Sequence, residues 1–265
     1  MTVPLLKYPR TRHLEGSRTQ PGDEDLDAAR FDEIRGRHLV VEEKLDGANA
    51  GISIGDGGEL LLQSRGHYLT GGPRERHWDL FKRWAHARAG VFRERLGRRY
   101  VVYGEWLYAK HTVFYDRLPH YFMEFDVLDR RTGSFLSTAR RHALWDGGPL
   151  ASVPVLHRGE VRSMQKLWRM IGTSLCKSEH WRQALDDQAR AQELDVARVR
   201  GETDGSGDME GLYVKVEEGG GVCARYKLIR ASFLTTVVDS GGHWLDRPIV
   251  PNRLAEGVDL FGDPG

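Results

Sequence analysis

Two pairs of short apolar runs, each doubling back through a glycine-rich turn, constrain this chain most. Residues 50–54 and 60–64 flank Gly55-Asp56-Gly57-Gly58, and residues 212–217 and 222–228 flank Glu218-Gly219-Gly220-Gly221. Such runs closed by glycine turns read as antiparallel hairpins. Residues 39–44, 100–107 and 121–128 add further strands. The spacing of Trp78, Phe81, Trp84, Ala85 and Phe92 predicts one amphipathic helix. Helices are also expected over 23–34, 164–171 and 179–199. Strands outnumber helices and come mostly as hairpins, so the expected class is α+β with an antiparallel sheet.

At 265 residues and 40% hydrophobic content the chain can bury one large core. A mean hydropathy of -0.52 and the lack of any run near the ~18 apolar residues of a spanning helix exclude a helical membrane protein. The opening Met1-Thr2-Val3-Pro4 lacks a signal-peptide pattern, and two cysteines, Cys176 and Cys223, are too few for a disulfide scaffold or zinc site. A cytoplasmic monomer with no membrane association is expected. Lysine and arginine number 39 against 38 acidic residues, but residues 73–99 carry a local +6 and residues 186–218 a local −6. A basic face of that kind can meet a phosphate backbone, and it can equally be a solvated helix surface.

No phosphate-loop, H-E-x-x-H, G-x-S-x-G or paired C-x-x-C pattern occurs. What stands out is a series of lysines, arginines and carboxylates at strand ends. Glu43-Lys44-Leu45-Asp46-Gly47-Ala48-Asn49 places a lysine at a tight turn, where partial desolvation would favour a nucleophilic amine. Ser64-Arg65-Gly66, Tyr103-Gly104-Glu105-Trp106 and Phe122-Met123-Glu124-Phe125-Asp126-Val127 follow. Glu210-Gly211-Leu212-Tyr213-Val214-Lys215 and Arg225-Tyr226-Lys227-Leu228-Ile229-Arg230 complete the series.

In order and spacing these six segments resemble motifs I, Ia, III, IIIa, IV and V of the covalent nucleotidyltransferases, the superfamily of polynucleotide ligases and mRNA capping enzymes. Segment 103–129, the opening Tyr8-Pro9-Arg10-Thr11-Arg12-His13 and the lead-in Glu202-Thr203-Asp204 look like ATP-dependent RNA ligases of the RNA ligase 2-like kind. The resemblance implies an antiparallel-sheet adenylation domain, ATP-grasp-like, with helical insertions. It would occupy residues 36–232, between a lead-in (1–35) and a short C-terminal tail (233–265). Only 35 residues follow Arg230, so no OB-fold is expected.

The resemblance also implies three steps. Lys44 attacks the α-phosphorus of ATP, AMP passes to an RNA 5′-phosphate, and a 3′-OH displaces it to seal the strand. Arg65, Arg225 and Lys227 would clamp phosphate. Glu105 and Glu210 would hold Mg²⁺ or Mn²⁺ or bond the ribose. Phe125 would stack on adenine, and Glu43, Asp46 and Asn49 would line the nucleotide. Lys227 and the metal would lower the Lys44 pKa. Motif V often has lysine at both alternate positions, and Arg225 stands at the first here. RNA with 5′-phosphate and 3′-OH ends is the expected partner, together with an end-healing kinase or phosphatase. The competing readings are a DNA ligase, a polynucleotide adenylyltransferase or capping enzyme, and an inactive end-binding protein.

Overall fold

Both glycine-turn hairpins form in the computed structural model, which describes residues 4–17, 27–239 and 247–262. The strands are β1 (Arg12–His13), β2 (His38–Lys44), β3 (Ala48–Ile54), β4 (Leu60–Ser64), β5 (Tyr100–Trp106), β6 (Phe122–Asp129), β7 (Ser134–Leu136), β8 (Ala151–Ser152), β9 (Val155–Glu160), β10 (Gly211–Glu218) and β11 (Gly221–Ile229). The helices are α1 (Asp79–Ala87), α2 (Ala89–Leu96), α3 (Thr138–Trp145), α4 (Met164–Trp168), α5 (Trp181–Ala191), α6 (Val196–Gly201) and α7 (Ala231–Asp239). The β10–β11 turn needs glycine, because Gly219 and Gly220 take φ of 58° and 80°.

The strands run in the order β4-β3-β5-β6-β7-β11-β10-β2-β9, with β1 added on β11 and β8 on β6. All pairings along the main path are antiparallel, as expected. The short β7 joins two halves, pairing with β6 on one side and β11 on the other.

Strand alternation sorts the side chains of each half. Register pairs Lys44 with Gly211, Glu42 with Tyr213 and Val40 with Lys215, while β11 sets Lys227 opposite Tyr213 and Arg225 opposite Lys215. One face therefore carries Lys44, Glu42, Tyr213, Lys215, Arg225 and Lys227. The other carries Leu39, Val41, Leu212, Val214, Val216 and Leu228, which bury against Leu14, Phe31, Ile34 and Leu167. In the other half, Ala50, Ile52, Val102, Trp106 and Phe122 pack under the aromatic stripe of Trp78, Phe81, Trp84 and Phe92. Burying each such large side chain contributes roughly 1.5–3 kcal/mol. The polar faces of the two halves meet, as the Lys215–Asp126 ion pair at 3.1 Å demonstrates. The N-terminal segment threads between them: the Leu6 carbonyl accepts from Tyr103 Oη and Gln63 Nε2, both at 2.8 Å.

Several elements differ from expectation for local reasons. The single helix expected across the aromatic stripe is two, broken at Arg88 (φ −105°, ψ 11°), whose guanidinium donates to the Phe261 carbonyl at 2.5 Å. The long helix over 179–199 is likewise split. Glu193 has φ 56°, and the Asp195 carboxylate caps a new helix by accepting from the Ala197 amide at 2.9 Å. Of the helix expected over 23–34, residues 23–26 lie outside the described residues, and only a 3₁₀ turn at Phe31–Glu33 forms. Residues 1–3 and 18–26 of the expected lead-in, and 240–246 and 263–265 of the expected tail, also lie outside them. No helix among the described residues is long and apolar enough to cross a membrane.

Candidate active site

Lys44 is the last residue of β2, and its ammonium donates to Glu210 Oε2 at 2.8 Å. Glu210 immediately precedes β10 and is 2% exposed, whereas the Lys44 side chain keeps 26% of its surface. The chain then turns through Leu45-Asp46-Gly47 into β3. A Cβ on Gly47 would meet Leu107 Cδ2 at 2.7 Å and the Trp106 carbonyl at 2.8 Å, so only glycine lets the turn lie this close to the end of β5. The Gly47 amide donates to Glu105 Oε1 at 3.1 Å, and Glu105 faces Asn49 in the β3–β5 register. Asp46 points into the connection between β5 and β6. Its Oδ2 accepts from the Thr112 and Val113 amides, both at 2.7 Å, and its own amide donates to Tyr115 Oη at 2.8 Å.

One ammonium thus faces three carboxylates, of which Glu210 is buried and Asp46 and Glu105 are partly buried. Burial pushes Glu105 up to about 8 and Glu210 up to about 7, with the Lys44 charge opposing and neighbouring carboxylates adding to the rise. Burial also raises Asp46. For Lys44, burial favours the neutral amine, but Glu210, Glu105 and Asp46 outweigh it and hold its pKa above the ordinary lysine value. The lowering expected from neighbouring cations is therefore not supplied by the protein groups alone.

The carboxylates fit a hard divalent cation. Among the described residues no group of three or more ligating side chains is arranged to hold a metal alone. Two carboxylates, Glu105 and Glu210, are the number Mg²⁺ uses when substrate phosphates and waters complete its shell.

The structure gathers Lys44, Asp46, Asn49, Glu105 and Glu210, and the Lys227 charge acts on Glu210. Four other sequence candidates sit differently. Arg225 lies 3.6 Å from Asp126 Oδ2, donates to Tyr8 Oη at 3.4 Å and covers the Phe135 ring at 3.9 Å. Phe125 is half-buried, edge-on to Tyr8 with ring centroids 5.1 Å apart. Arg65 is exposed after β4. Glu43 points through the other face of β2, where its oxygens accept from Ser174 Oγ (2.5 Å) and the Leu175 amide (3.0 Å).

Much of the basic stretch is bound to the protein itself. Arg93 donates to the Gly58 carbonyl at 2.9 Å, Arg95 to the Leu144 and Asp146 carbonyls at 2.8 Å, and Arg99 pairs with Asp129 at 2.6 Å.

Sequence reading missed the charge network behind the site. Arg141 of α3 bonds Glu42 Oε1 at 2.5 Å and Glu124 Oε2 at 2.7 Å, and Lys215 bonds Glu42 Oε2 at 2.9 Å. All four are fully buried. Tyr8 donates to Asp126 Oδ2 at 2.5 Å and touches the Tyr213 hydroxyl. The available signal was a charge inside an apolar strand: Lys215 stands between Val214 and Val216, and Asp126 between Phe125 and Val127.

The RNA ligase family model matches residues 37–229 of this chain. No curated protein gives a significant sequence match. Among solved structures, a Naegleria gruberi RNA ligase variant without ligand superposes with TM-score 0.57 at 17% identity, covering 89% of this chain and 60% of that one. A variant of the same enzyme with ATP and Mn gives 0.56 at 17%, over 87% and 58%. The form with PPi gives 0.55 at 18%, over 89% and 64%. The similarity is one of fold, and the chain spans less than two thirds of the length of these relatives.

Proposed function

Because the chain belongs to the RNA ligase family, we propose that it is an ATP-dependent RNA ligase that adenylylates itself on Lys44. What carries this reading is the Lys44 ammonium at the mouth of the site, bonded to Glu210 and faced by Glu105 and Asp46. Lys44 Nζ forms a bond to the α-phosphorus of ATP as the bond to pyrophosphate breaks, and pyrophosphate leaves with the electron pair. Glu210 Oε2, 2.8 Å from the amine, is already in place to accept its proton. A Mg²⁺ or Mn²⁺ ion at Glu105 and Glu210 would neutralise phosphate charge and offset the carboxylates that keep Lys44 protonated. Asp46 and Gly47 fix the turn that carries the amine, which supplies positioning. Lys227 adds positive charge on the same face for the phosphates.

The AMP then passes to the 5′-phosphate of an RNA end, and a 3′-OH attacks that phosphate with release of AMP. RNA carrying 5′-phosphate and 3′-OH termini is the proposed substrate, with a separate end-healing kinase or phosphatase upstream.

The test is sealing of a nicked RNA duplex labelled at its 5′-phosphate, with ATP and Mg²⁺ or Mn²⁺, beside a DNA nick of the same sequence. The reading expects ligated RNA, and none with a 5′-OH strand. Sealing of DNA in preference to RNA would overturn the substrate assignment.

A further inference from the structure

The turn carrying Lys44 is held by a stretch that has no regular structure of its own. Residues 107–121 connect β5 to β6 without helix or strand. This stretch supplies the Thr112 and Val113 amides and the Tyr115 hydroxyl that grip Asp46. An irregular connection of this length keeps one shape only if something else satisfies its backbone.

That something lies near the C-terminus. The Lys110 amide donates to the Val250 carbonyl (2.8 Å), the Arg253 amide to the Tyr115 carbonyl (2.9 Å) and the Leu118 amide to the Arg253 carbonyl (3.1 Å). The centre of the clip is the Asn252 side chain, 1% exposed. Its Oδ1 accepts from the Tyr115 amide at 2.9 Å, and its Nδ2 donates to the Leu107 carbonyl at 2.7 Å. One carboxamide thus ties both legs of the connection together, and its backbone amide adds a bond to the Tyr108 carbonyl at 2.8 Å. Asparagine suits the place because it offers a donor and an acceptor at once. Loss of the amide would leave a buried N–H and a buried C=O without partners.

We infer that Asn252 is a positioning residue for self-adenylylation, acting through Tyr115 and Asp46 on the turn that holds Lys44. The inference rests on the proposed function for its catalytic consequence and on the hydrogen bonds alone for its mechanical one. Asn252 touches neither Lys44 nor the carboxylates beside it. Its influence runs from its Oδ1 to the Tyr115 backbone, from the Tyr115 hydroxyl to the Asp46 amide, and from there to the neighbouring turn. Displacement of a reacting group by about 1 Å can cost on the order of 100-fold in rate.

Two measurements on the full chain decide it. Hydrogen exchange of nucleotide-free protein should show the peptide over residues 45–49 exchanging at least 10-fold faster in Asn252→Ala and in Tyr115→Phe, with the β10–β11 hairpin unchanged. Single-turnover labelling across ATP concentrations should show both variants losing at least 10-fold in maximal rate, with half-saturating ATP altered less than threefold. The double variant should be no slower than the slower single one. Tyr115→Phe removes one hydroxyl and leaves the Asn252 bonds intact, so it keeps the test sound if Asn252→Ala folds poorly. Unchanged exchange at 45–49, a wild-type rate in Tyr115→Phe, or multiplying losses in the double variant would each overturn the inference. A wild-type chain that takes no label overturns the ligase reading and the catalytic consequence together, while the exchange arm still decides the mechanical link.

Discussion

Lys44 Nζ and Glu210 Oε2 lie 2.8 Å apart although 166 residues separate them in the chain. The register of β2 on β10 brings the two strand ends together, because Lys44 pairs with Gly211, and Glu210, just before β10, is free of the alternation that would send it to the other face. An amine held this way is correctly placed but protonated, since Glu210, Glu105 and Asp46 together outweigh the effect of burial.

Glu210→Gln tests that arrangement. The amide keeps the shape of the side chain but loses the charge and the proton acceptor. Losing one preorganised charged partner at a reacting group typically costs about 100-fold or more in rate. The expected outcome is such a loss in single-turnover labelling, with an unchanged unfolding midpoint. A rate within about threefold of wild type would remove Glu210 from the mechanism.

Arg141→Met should destabilise rather than deactivate. Arg141 is fully buried between Glu42 and Glu124, and its loss leaves Glu124 without its cation and Glu42 with Lys215 alone. Breaking a buried pair in this way costs about 3–5 kcal/mol. Urea unfolding followed by tryptophan fluorescence should show a loss of that size. A loss below about 1 kcal/mol would mean that Lys215 beside Glu42 and the Ser152 hydroxyl on Glu124 are enough for the two carboxylates.

His120 predicts a stability change with pH. It is buried against Trp84, ring centroids 4.8 Å apart, and its Nδ1 lies 2.8 Å from the Phe122 amide and 3.1 Å from the Phe122 carbonyl. Burial holds its pKa down to about 4. The unfolded chain takes up a proton near pH 6.5 and the folded chain does not. Stability is therefore complete above about pH 6.5 and falls as pH drops toward 4, by roughly 3 kcal/mol from this group. His120→Gln should flatten the wild-type slope over that window, measured by urea melts at several pH values. Parallel slopes in the two proteins would contradict the assignment.

Arg95→Ala separates structure from RNA binding. Arg95 donates to two carbonyls at the end of α3, so its loss should cost about 1 kcal/mol in unfolding free energy. RNA affinity should keep the same salt dependence. A salt slope reduced by about one unit would instead make Arg95 a phosphate contact.

Much of this was legible in the sequence because hairpin turns and strand alternation are local. Residues 50–64 and 212–228 formed the expected hairpins, and the aromatic stripe from Trp78 to Phe92 lies over the sheet as its spacing required. Local too was the link from a strand-end lysine through Asp46-Gly47 to a tight turn. The partners of those residues were not local. Arg141 pairs with Glu42 across 99 residues, and Asn252 reaches Tyr115 across 137. Neither partnership leaves a mark in residue spacing. Helix breaks were hidden for a different reason: Glu193 takes a left-handed conformation that its side chain does not favour, and only the capping carboxylate of Asp195 hinted at a new start. The basic stretch stayed open between a phosphate-binding face and a solvated surface, because charge counts cannot tell an arginine facing solvent from one bonded to a carbonyl, as Arg95 is.

The most direct measurement incubates the purified chain with ATP and Mg²⁺ or Mn²⁺, digests it, and maps the modified peptide by mass spectrometry, with Lys44→Ala alongside. The account predicts a single AMP adduct on Lys44, dependent on the metal and absent from the variant. An adduct on another residue, or none in protein shown to be free of bound AMP beforehand, would contradict it.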